Sequence, residues 1–275
     1  MAGAGMTLAE HVARWPVGSA SVAVVGPGGV LERCGPDDAR PWASVTKLLT
    51  ALVVLTAAED GRLDLDEPAG PAGSTVRHLL AHASGLSLDS DRVLAPPGRR
   101  RVYSNRGIEL AAGHVERRLR APFEALLRER VLGPLGMVAT VLAGSPAHGA
   151  RGPVGDVALL ARELLRPAVL PGGVVQLARR TAFPGLSGVL PGFGRQDPND
   201  WGLGPEVRGA KSPHWTAPEG SAATFGHFGQ SGSFCWVDPE ADVACACVGD
   251  TPFGPWAATA WPALASDVLA RHRTP

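Results

Sequence analysis

The chain has 275 residues, with 26 acidic and 26 basic side chains and therefore no formal net charge. This length accommodates one large domain or two closely packed lobes. Because the charge is balanced, nothing in the composition favours binding to nucleic acid or to an anionic membrane.

The start of the chain does not resemble a secretory signal peptide. Residues 1–15 contain no basic segment followed by an apolar one, and Glu10 falls where a signal peptide would be apolar. The longest apolar run, residues 48–58, is much shorter than the ~20 residues that a membrane-spanning helix needs. We therefore expect a cytoplasmic protein without a membrane partner.

A β-hairpin is predicted near the N-terminus. Residues 20–25 and 30–34 are apolar and β-prone, and residues 26–29 between them read Gly-Pro-Gly-Gly. The middle of the chain then shows helical periodicity, beginning with a helix that starts at Ser44 and stops at Gly61. Further helices are predicted over 75–82, 107–119, 122–131 and 156–165.

The pattern returns to strands after Gly220. Strands are predicted over 225–228, 233–237 and 243–248, and a closing helix from about 256 to 270. Strands at both ends of the chain predict one antiparallel sheet built from the two termini.

The fold class is therefore α+β, with an antiparallel sheet flanked by helices and an inserted, mostly helical lobe. We expect one domain, 1–275, with a sheet lobe of about 1–43 and 220–275 and a helical lobe of about 44–219. An active site is expected in the cleft between the lobes. Residues 185–220 are loop-rich, and the pattern does not place any short strands there.

Lysine and tyrosine are scarce, and most of them lie in motifs with chemical meaning. Lys47 and Lys211 are the only lysines, and Tyr103 is the only tyrosine. Arginine cannot lose its proton near neutral pH and phenylalanine has none to exchange, whereas lysine and tyrosine can transfer protons. Lys47 and Tyr103 are candidates for that task, with chance as the alternative explanation.

Ser44-Val45-Thr46-Lys47 is the first motif. At a helix start, Ser-x-x-Lys places both side chains about one turn apart on the same face, so the amine can reach the hydroxyl. A lysine among apolar residues has a lowered pKa and can activate the serine as a nucleophile. The alternative interpretation is that Ser44 only caps the helix.

Two other segments carry polar groups suited to a reaction. Tyr103-Ser104-Asn105 precedes a predicted helix and supplies a phenol and an amide, although in isolation the motif favours an ordinary turn with a buried ring. Gly226-His227-Phe228-Gly229 lies on a predicted strand that would present His227 to a substrate and the backbone amide of Gln230 to an oxyanion. A structural histidine is the alternative there.

Together, in this order and spacing, the three motifs resemble the serine β-lactamase and penicillin-binding-protein superfamily. The similarity is to the branch that contains class C β-lactamases, Streptomyces-type DD-peptidases, esterases and transacylases, and it spans about residues 20–249. Other stretches that look like this branch are Thr75 to Leu86, Pro97-Gly98, Pro134 to Met137 and Trp201 to Gly204.

The resemblance implies a β-lactamase/transpeptidase-like fold and an acyl-enzyme mechanism without cofactor or metal. Ser44 would attack a carbonyl, with Lys47 and Tyr103 as the general-base pair. The backbone amides of Ser44 and Gln230 would form the oxyanion hole. The residues implied to bind substrate are Asn105, His227, Gly229 and Gln230.

Departures from the better-known members narrow the branch. The second motif is Tyr-Ser-Asn instead of Ser-Asp-Asn, and no Glu-x-x-Leu-Asn supplies a deacylating glutamate. His227 stands where many relatives have lysine, and Phe228 replaces a small hydroxyl residue. These changes remove a cation and a hydrogen-bond donor, which argues against recognition of a β-lactam or peptide carboxylate.

We therefore predict a serine hydrolase that cleaves a small-molecule ester or amide through acylation of Ser44. Acyl transfer on the same acyl-enzyme, β-lactamase or DD-peptidase activity, and a non-catalytic binding homologue are the alternatives. The sequence does not identify the substrate or the oligomeric state.

Three groups outside the motifs also carry predictions. Lys211 is expected at the surface. His78 and His82 share a predicted helical face at metal-like spacing, but structural roles are favoured over a metal site. Cys235 and Cys245 would be able to face each other across a hairpin, and both are expected to be reduced in a cytoplasm.

Overall fold

The computed structural model describes residues 5–273. The strands are β1 (Ala20–Gly26), β2 (Gly29–Cys34), β3 (Arg40–Pro41), β4 (Val141–Leu142), β5 (Ala150–Gly152), β6 (Gly188–Leu190), β7 (Gly194–Gln196), β8 (Glu206–Val207), β9 (Phe225–Gly229), β10 (Ser233–Asp238) and β11 (Val243–Gly249). The helices are α1 (Leu8–Ala13), α2 (Thr46–Glu59), α3 (Val76–Leu80), α4 (Asn105–Leu119), α5 (Phe123–Leu127), α6 (Gly133–Leu135), α7 (Val154–Leu165), α8 (Val174–Arg179) and α9 (Pro255–His272).

The main sheet joins the two ends of the chain. Its six strands are antiparallel in the order β2-β1-β11-β10-β9-β8. The N-terminal hairpin pairs with the last strand, so that Ala20 lies opposite Gly249 and Val24 opposite Cys245. This pairing confirms the sheet predicted from both termini.

Helices cover both faces of the sheet. Successive side chains of a strand point to opposite faces, and Val22 and Val24 accordingly pack with Trp261 of α9 in one apolar cluster. Ala23 and Val25 belong to a second cluster, which includes residues of α2 and α7. The sheet is therefore a central layer, which is why its inner strands are buried on both sides.

Helix α2 is the centre of the helical lobe. Its residues from Thr46 to Ala57 are all buried, as expected for a helix that is apolar around its whole circumference. Helices α4, α5 and α8 pack around it. Lys47 therefore enters the core on the first turn of a helix that has no exposed face there.

Several element boundaries differ from the sequence-based ones. Helix α3 ends at Leu80, and the predicted helix over 122–131 is divided into α5 and a π-helical turn, Arg128–Leu132. The loop-rich segment 185–220 contains β6, β7 and β8. Of these, β8 forms the edge of the main sheet beside β9, so sheet residues begin upstream of 220.

The predicted facing of Cys235 and Cys245 is wrong. Cys235 lies opposite Ala246, and Cys245 lies opposite Trp236. The two thiols belong to different apolar clusters on opposite faces of the sheet, and all four cysteines are free. Within residues 5–273, no helix is both long enough and apolar enough to cross a membrane.

Candidate active site

Ser44 lies in a 3₁₀ turn, Ala43–Val45, between β3 and α2. The buried indole of Trp42 anchors this turn by donating a hydrogen bond from Nε1 to the carbonyl of Gly152 (3.0 Å). Ala43 has a φ of 44°, in the left-handed region that non-glycine residues rarely occupy. Such strain persists only where the surrounding structure imposes it, and it often marks a functional site.

Ser44 does not cap the following helix. Helix α2 begins at Thr46, and its cap position, Val45, makes no side-chain hydrogen bond to the helix end. Ser44 is half-buried, and its hydroxyl oxygen accepts a hydrogen bond from Nζ of Lys47 at 3.0 Å. The capping interpretation of the first motif is therefore wrong, and the two side chains meet as the Ser-x-x-Lys spacing predicts.

The amine of Lys47 is held by three oxygen acceptors. Besides Ser44, Nζ donates to Oδ1 of Asn105 at 2.7 Å and to the carbonyl of Ala147 at 2.9 Å. It also lies 4.9 Å from the ring centre of Tyr103. An ammonium has three donors, so the acceptors define one position for the nitrogen.

Burial makes Lys47 a base near neutral pH. Its side chain is fully enclosed, and the loss of hydration lowers its pKa to about 7, although the carboxylates of Asp89 and Glu109 partly oppose the shift. When the proton leaves, the nitrogen keeps its place and gains a lone pair toward Ser44. The arrangement can therefore remove the serine proton without moving a side chain.

Tyr103 is held as a neutral phenol beside these two residues. Burial raises its pKa above the ordinary value, the hydrogen bond with Ser44 opposes the rise, and Asp89 adds to it. The ring packs among His82, Trp201 and His227, with centroid distances of 4.5, 5.7 and 5.9 Å. Because the phenol holds its proton more tightly than Lys47 does, the amine is the stronger candidate for the base.

Asn105 connects the amine to the start of α4. The hydroxyl of Ser104 caps the helix by accepting from the backbone N–H of Gly107 at 2.9 Å, which places Asn105 at the first helical position. The Asn105 side chain accepts from Lys47 through Oδ1 and donates through Nδ2 to Asp89 at 2.8 Å. Its amide orientation follows from these partners, since the Lys47 ammonium donates and the Asp89 carboxylate accepts.

Strand β9 brings the third motif against the Ser44 turn. At Gly229 a Cβ atom would lie 2.3 Å from the carbonyl oxygen of Trp42 and 3.0 Å from Cβ of Ala43, so only glycine fits without displacing the turn. Gln230 follows directly, and its side chain donates to the carbonyl of Phe253 at 3.1 Å. Residues 229 and 230 therefore adjoin the turn that carries the serine.

His227, on strand β9, lies next to the rings of Tyr103 and Trp201. It is only 3% exposed, and its ring lies 5.5 Å from that of Trp201. Burial, assisted by the charge of Lys47, lowers its pKa to about 3. His227 is therefore a neutral imidazole across the physiological pH range.

The structure adds site residues that the sequence did not single out as functional. The Ala147 carbonyl comes from a loop held against α2 by a bond from the Thr50 hydroxyl to the Pro146 carbonyl (2.5 Å). His82 and Trp201 enclose Tyr103. His82 and Trp201 both lie in stretches that look like the family, whereas the contribution of the Ala147 backbone carbonyl leaves no signal in a sequence.

His78 and His82 do not share a helical face. Helix α3 ends before residue 82, and His82 has a φ of 53°, which turns its ring toward Tyr103. The ring of His78 stacks on Phe183 at 4.3 Å instead. The predicted common face is therefore wrong, and the two rings contact different parts of the molecule.

Lys211 is not a surface residue, contrary to the sequence-based prediction. Its side chain is 0% exposed and forms an ion pair with Glu206, which is 2% exposed. His214 and the indole of Trp215 also bond to Glu206, at 2.9 and 3.0 Å. Burial raises the pKa of Glu206, but His214 and Lys211 outweigh it and lower the pKa to about 2.

A family sequence profile described as Beta-lactamase matches residues 7–269. The chain belongs to the beta-lactamase family. None of the curated proteins searched matches the sequence, but many solved structures do. A beta-lactamase from Mycobacterium bovis, Mb2281c, is 50% identical, with 98% of this chain and 100% of that chain covered and a TM-score of 0.95.

More distant family structures share the fold alone. Simvastatin synthase (LovD) from Aspergillus terreus is 16% identical, with 97% of each chain covered and a TM-score of 0.80. EstCE1, described as a hydrolase with promiscuous acyltransferase activity, is also 16% identical, with 95% of this chain and 96% of that chain covered and a TM-score of 0.79. These likenesses agree with the β-lactamase/transpeptidase fold implied by the motifs.

Proposed function

We propose that this member of the beta-lactamase family is a serine hydrolase that cleaves a small-molecule ester or amide through acylation of Ser44. The observation that carries the proposal is the 3.0 Å hydrogen bond between Lys47 Nζ and Ser44 Oγ, made by a buried amine whose pKa is lowered to about 7. Burying an amine costs free energy. A serine with a purely structural role would not need a buried amine as its hydrogen-bond partner.

Acylation starts with transfer of the Ser44 proton to the free amine of Lys47. Oγ attacks the substrate carbonyl, a C–O bond forms, and the carbonyl oxygen becomes an oxyanion. The backbone amides of Ser44 and Gln230 are the proposed donors to that oxyanion, because Gly229 seats the end of β9 against the Ser44 turn. Collapse of the intermediate expels the leaving group and leaves the acyl-enzyme.

The leaving group takes its proton from Tyr103 in this proposal. The phenol is neutral, forms a hydrogen bond with Ser44 and has its ring centre 4.9 Å from Nζ of Lys47, so it can donate to the leaving oxygen or nitrogen and be reprotonated by the lysine ammonium. Asn105 orients the amine and does not itself exchange protons. Water activated by Lys47 then releases the acid.

Acyl transfer is the second candidate, because it uses the same acyl-enzyme and differs only in the acceptor. A promiscuous acyltransferase activity is named for EstCE1 and a synthase activity for LovD, which share the fold with this chain. Product analysis with added alcohols and amines separates the two reactions. If hydrolysis accounts for all acyl-enzyme turnover at saturating acceptor, acyl transfer is excluded.

A small molecule is the proposed partner and the cytoplasm the proposed location. The four thiols are all free, with Cys235, Cys245 and Cys247 buried, which agrees with a reducing compartment. Fractionation of cells that express the natural gene, followed by immunodetection, tests this. Recovery of the protein outside the cytoplasm contradicts it.

Covalent labelling tests the nucleophile. A fluorophosphonate probe phosphonylates an activated serine and releases fluoride, and peptide mass spectrometry should place the adduct on Ser44. Ser44→Ala should lose both labelling and ester hydrolysis, while Ser266→Ala, which removes a hydroxyl of α9 that bonds Glu219, is the matched control. Labelling of another residue, or unchanged hydrolysis by Ser44→Ala, contradicts the proposal.

A further inference from the structure

The hydrogen-bonding state of His227 is determined by its own neighbours. Nδ1 lies 2.7 Å from the carbonyl oxygen of Phe228, and a carbonyl can only accept, so Nδ1 carries the proton. Because the ring is neutral, Nε2 has a lone pair. That atom is buried and has no hydrogen-bond partner within residues 5–273.

The ring belongs to the face of β9 that meets the Ser44 turn. Alternate residues of a strand share a face, so His227 lies on the same side as Gly229, which touches the Trp42–Ala43 backbone. Phe228 packs on the opposite side with Phe253 and Trp261. The imidazole that carries the unpartnered Nε2 therefore lies among the rings of His82, Tyr103 and Trp201, next to Lys47.

An unpartnered buried acceptor is costly and rare in a native fold, so its presence beside a candidate active site calls for a functional explanation. Water can serve in the resting enzyme, but a neutral lone pair distinguishes substrates. It attracts hydroxyl and N–H groups and repels a carboxylate, which has only acceptors.

Within residues 5–273, no permanently charged cation beside His227 is available to attract a carboxylate. The charged groups whose fields act on His227 are Lys47 and Glu206, and the amine of Lys47 is the proposed base. Arg101 acts on the neighbouring His82, but its guanidinium is committed to backbone carbonyls. Those carbonyls belong to Ala81, Ala182, Phe183 and Asn199.

We propose that Nε2 of His227 accepts a hydrogen bond from a hydroxyl or N–H group of the acyl substrate, so that the site selects donor-bearing, uncharged acyl groups over carboxylates. The inference rests on the proposed acyl-enzyme function and adds its substrate class. His227 is then a specificity residue for the acyl group, while Ser44, Lys47 and Tyr103 carry the bond-forming steps.

A matched ester panel tests this preference. The acyl groups are butyrates that carry a hydroxyl, a methyl or a carboxylate at C2, C3 or C4, all as p-nitrophenyl esters, and kcat/KM is measured for each. The wild-type enzyme should favour the hydroxyl over the methyl by about 10-fold or more at one position, since one hydrogen bond to a buried group has that worth. The carboxylate should be the poorest of the three there.

Two variants assign the preference to His227. His227→Phe keeps a ring of similar shape without the acceptor, so its hydroxyl-to-methyl ratio should fall to about 1. His227→Gln places an amide oxygen near the former Nε2 and should retain a ratio well above that of the phenylalanine variant. The ratio compares two substrates on one enzyme, so an overall loss of activity does not disturb it.

The outcomes separate this inference from the proposed function. If a fluorophosphonate labels Ser44 but the wild-type ratio is near 1 at all three positions, the acceptor role is overturned and His227 is a structural histidine. A ratio that survives in His227→Phe, or a preferred carboxylate, overturns it as well. If Ser44 is not labelled and Ser44→Ala still turns over the esters, the function itself fails. Should the phenylalanine variant not fold, a wild-type ratio near 1 still overturns the inference, and His227→Leu, which also lacks the acceptor, takes its place in the comparison.

Discussion

The imidazole of His82 packs beside the ring of Tyr103, with centroids 4.5 Å apart, and holds the backbone on both sides of it. Its Nδ1 accepts from the N–H of Ser104 at 3.2 Å, and its carbonyl accepts from the N–H of Val102 at 2.8 Å. The left-handed backbone at residue 82 makes both contacts possible from one residue. His82 is therefore a positioning residue for the phenol.

Replacing His82 should misplace Tyr103. We expect His82→Ala to lower kcat by about 10- to 100-fold, because small displacements of a reacting group have that effect. His82→Asn should recover part of the loss, since asparagine tolerates the left-handed region and its Oδ1 can accept from Ser104. Steady-state kinetics and thermal unfolding of both variants check this.

The control for that experiment is His78→Ala, which removes a neighbouring ring that stacks on Phe183. It should leave kcat close to the wild-type value. Equal kcat for the alanine and asparagine variants of His82, with equal losses of thermal stability, would show that His82 serves the fold alone.

The reaction should have an acid limb near pH 7. The free amine of Lys47 is the proposed base and its pKa is lowered to about 7, so kcat/KM should rise about 10-fold per pH unit below that value and level off above it. An uncharged ester as substrate keeps its own titration out of the profile. Asp89 favours the ammonium, so Asp89→Asn should move the limb to lower pH, and a shift to higher pH contradicts the assignment.

Lys47 should also make the free energy of unfolding depend on pH between about 7 and 10.5. In the folded chain the pKa of Lys47 is about 7 against an ordinary 10.5, so between these values the unfolded chain binds the extra proton. Stability must then rise with pH across this window, by up to about 1.4 kcal/mol per pH unit. Urea unfolding of the wild type and Lys47→Met at several pH values should show the wild type gaining on the variant. Parallel curves would refute the lowered pKa.

Removing Lys211 should destabilise the fold strongly. Lys211→Met removes the buried ammonium that pairs with the Glu206 carboxylate, and losing one partner of a buried pair costs about 3–5 kcal/mol. The exposed Arg128–Glu124 pair is the control, and Arg128→Ala should not measurably change unfolding. Because the pKa of Glu206 is lowered to about 2, its stabilising contribution is present above pH 4.5 and is lost as the pH falls toward 2.

Gly229→Ala tests whether activity needs the close packing of β9 against the turn that carries Ser44. The added methyl would meet the Trp42 carbonyl oxygen at 2.3 Å, so the Ser44 turn must move away from Gln230. We expect kcat/KM to fall by about 100-fold, the usual effect of losing one oxyanion donor. A Cβ at Gly172 meets no atom within 4 Å, and Gly172→Ala should remain fully active. Full activity of Gly229→Ala would remove the basis for the oxyanion assignment.

Local pattern was enough to predict much of the fold. The Gly-Pro-Gly-Gly turn with flanking β-prone residues predicted the first hairpin, and the Ser-x-x-Lys spacing brought Ser44 and Lys47 into contact because both lie within one helical turn. The beta-lactamase family followed from the three motifs. Each of the sequence patterns behind these predictions lies within a few consecutive residues.

The errors arose where the environment depends on loop conformation or on segments far apart in sequence. Lys211 is buried because its amine bonds to Glu206 and to the backbone carbonyls of Asp200 and Val207, and no helix or strand periodicity in this loop indicates an ion pair. The register that separates Cys235 from Cys245 depends on how two strands align. The Ala147 carbonyl reaches Lys47 from 100 residues away.

The pairing of β1 with β11 has a consequence for synthesis of the protein. Ser44 emerges from the ribosome well before β9 and β11, which follow the whole helical lobe in sequence. Contacts between residues so far apart form slowly and only after the long intervening chain is available. The helical lobe is therefore synthesised before the main sheet can be completed. A prematurely terminated chain contains Ser44 but lacks the strand that would complete its site.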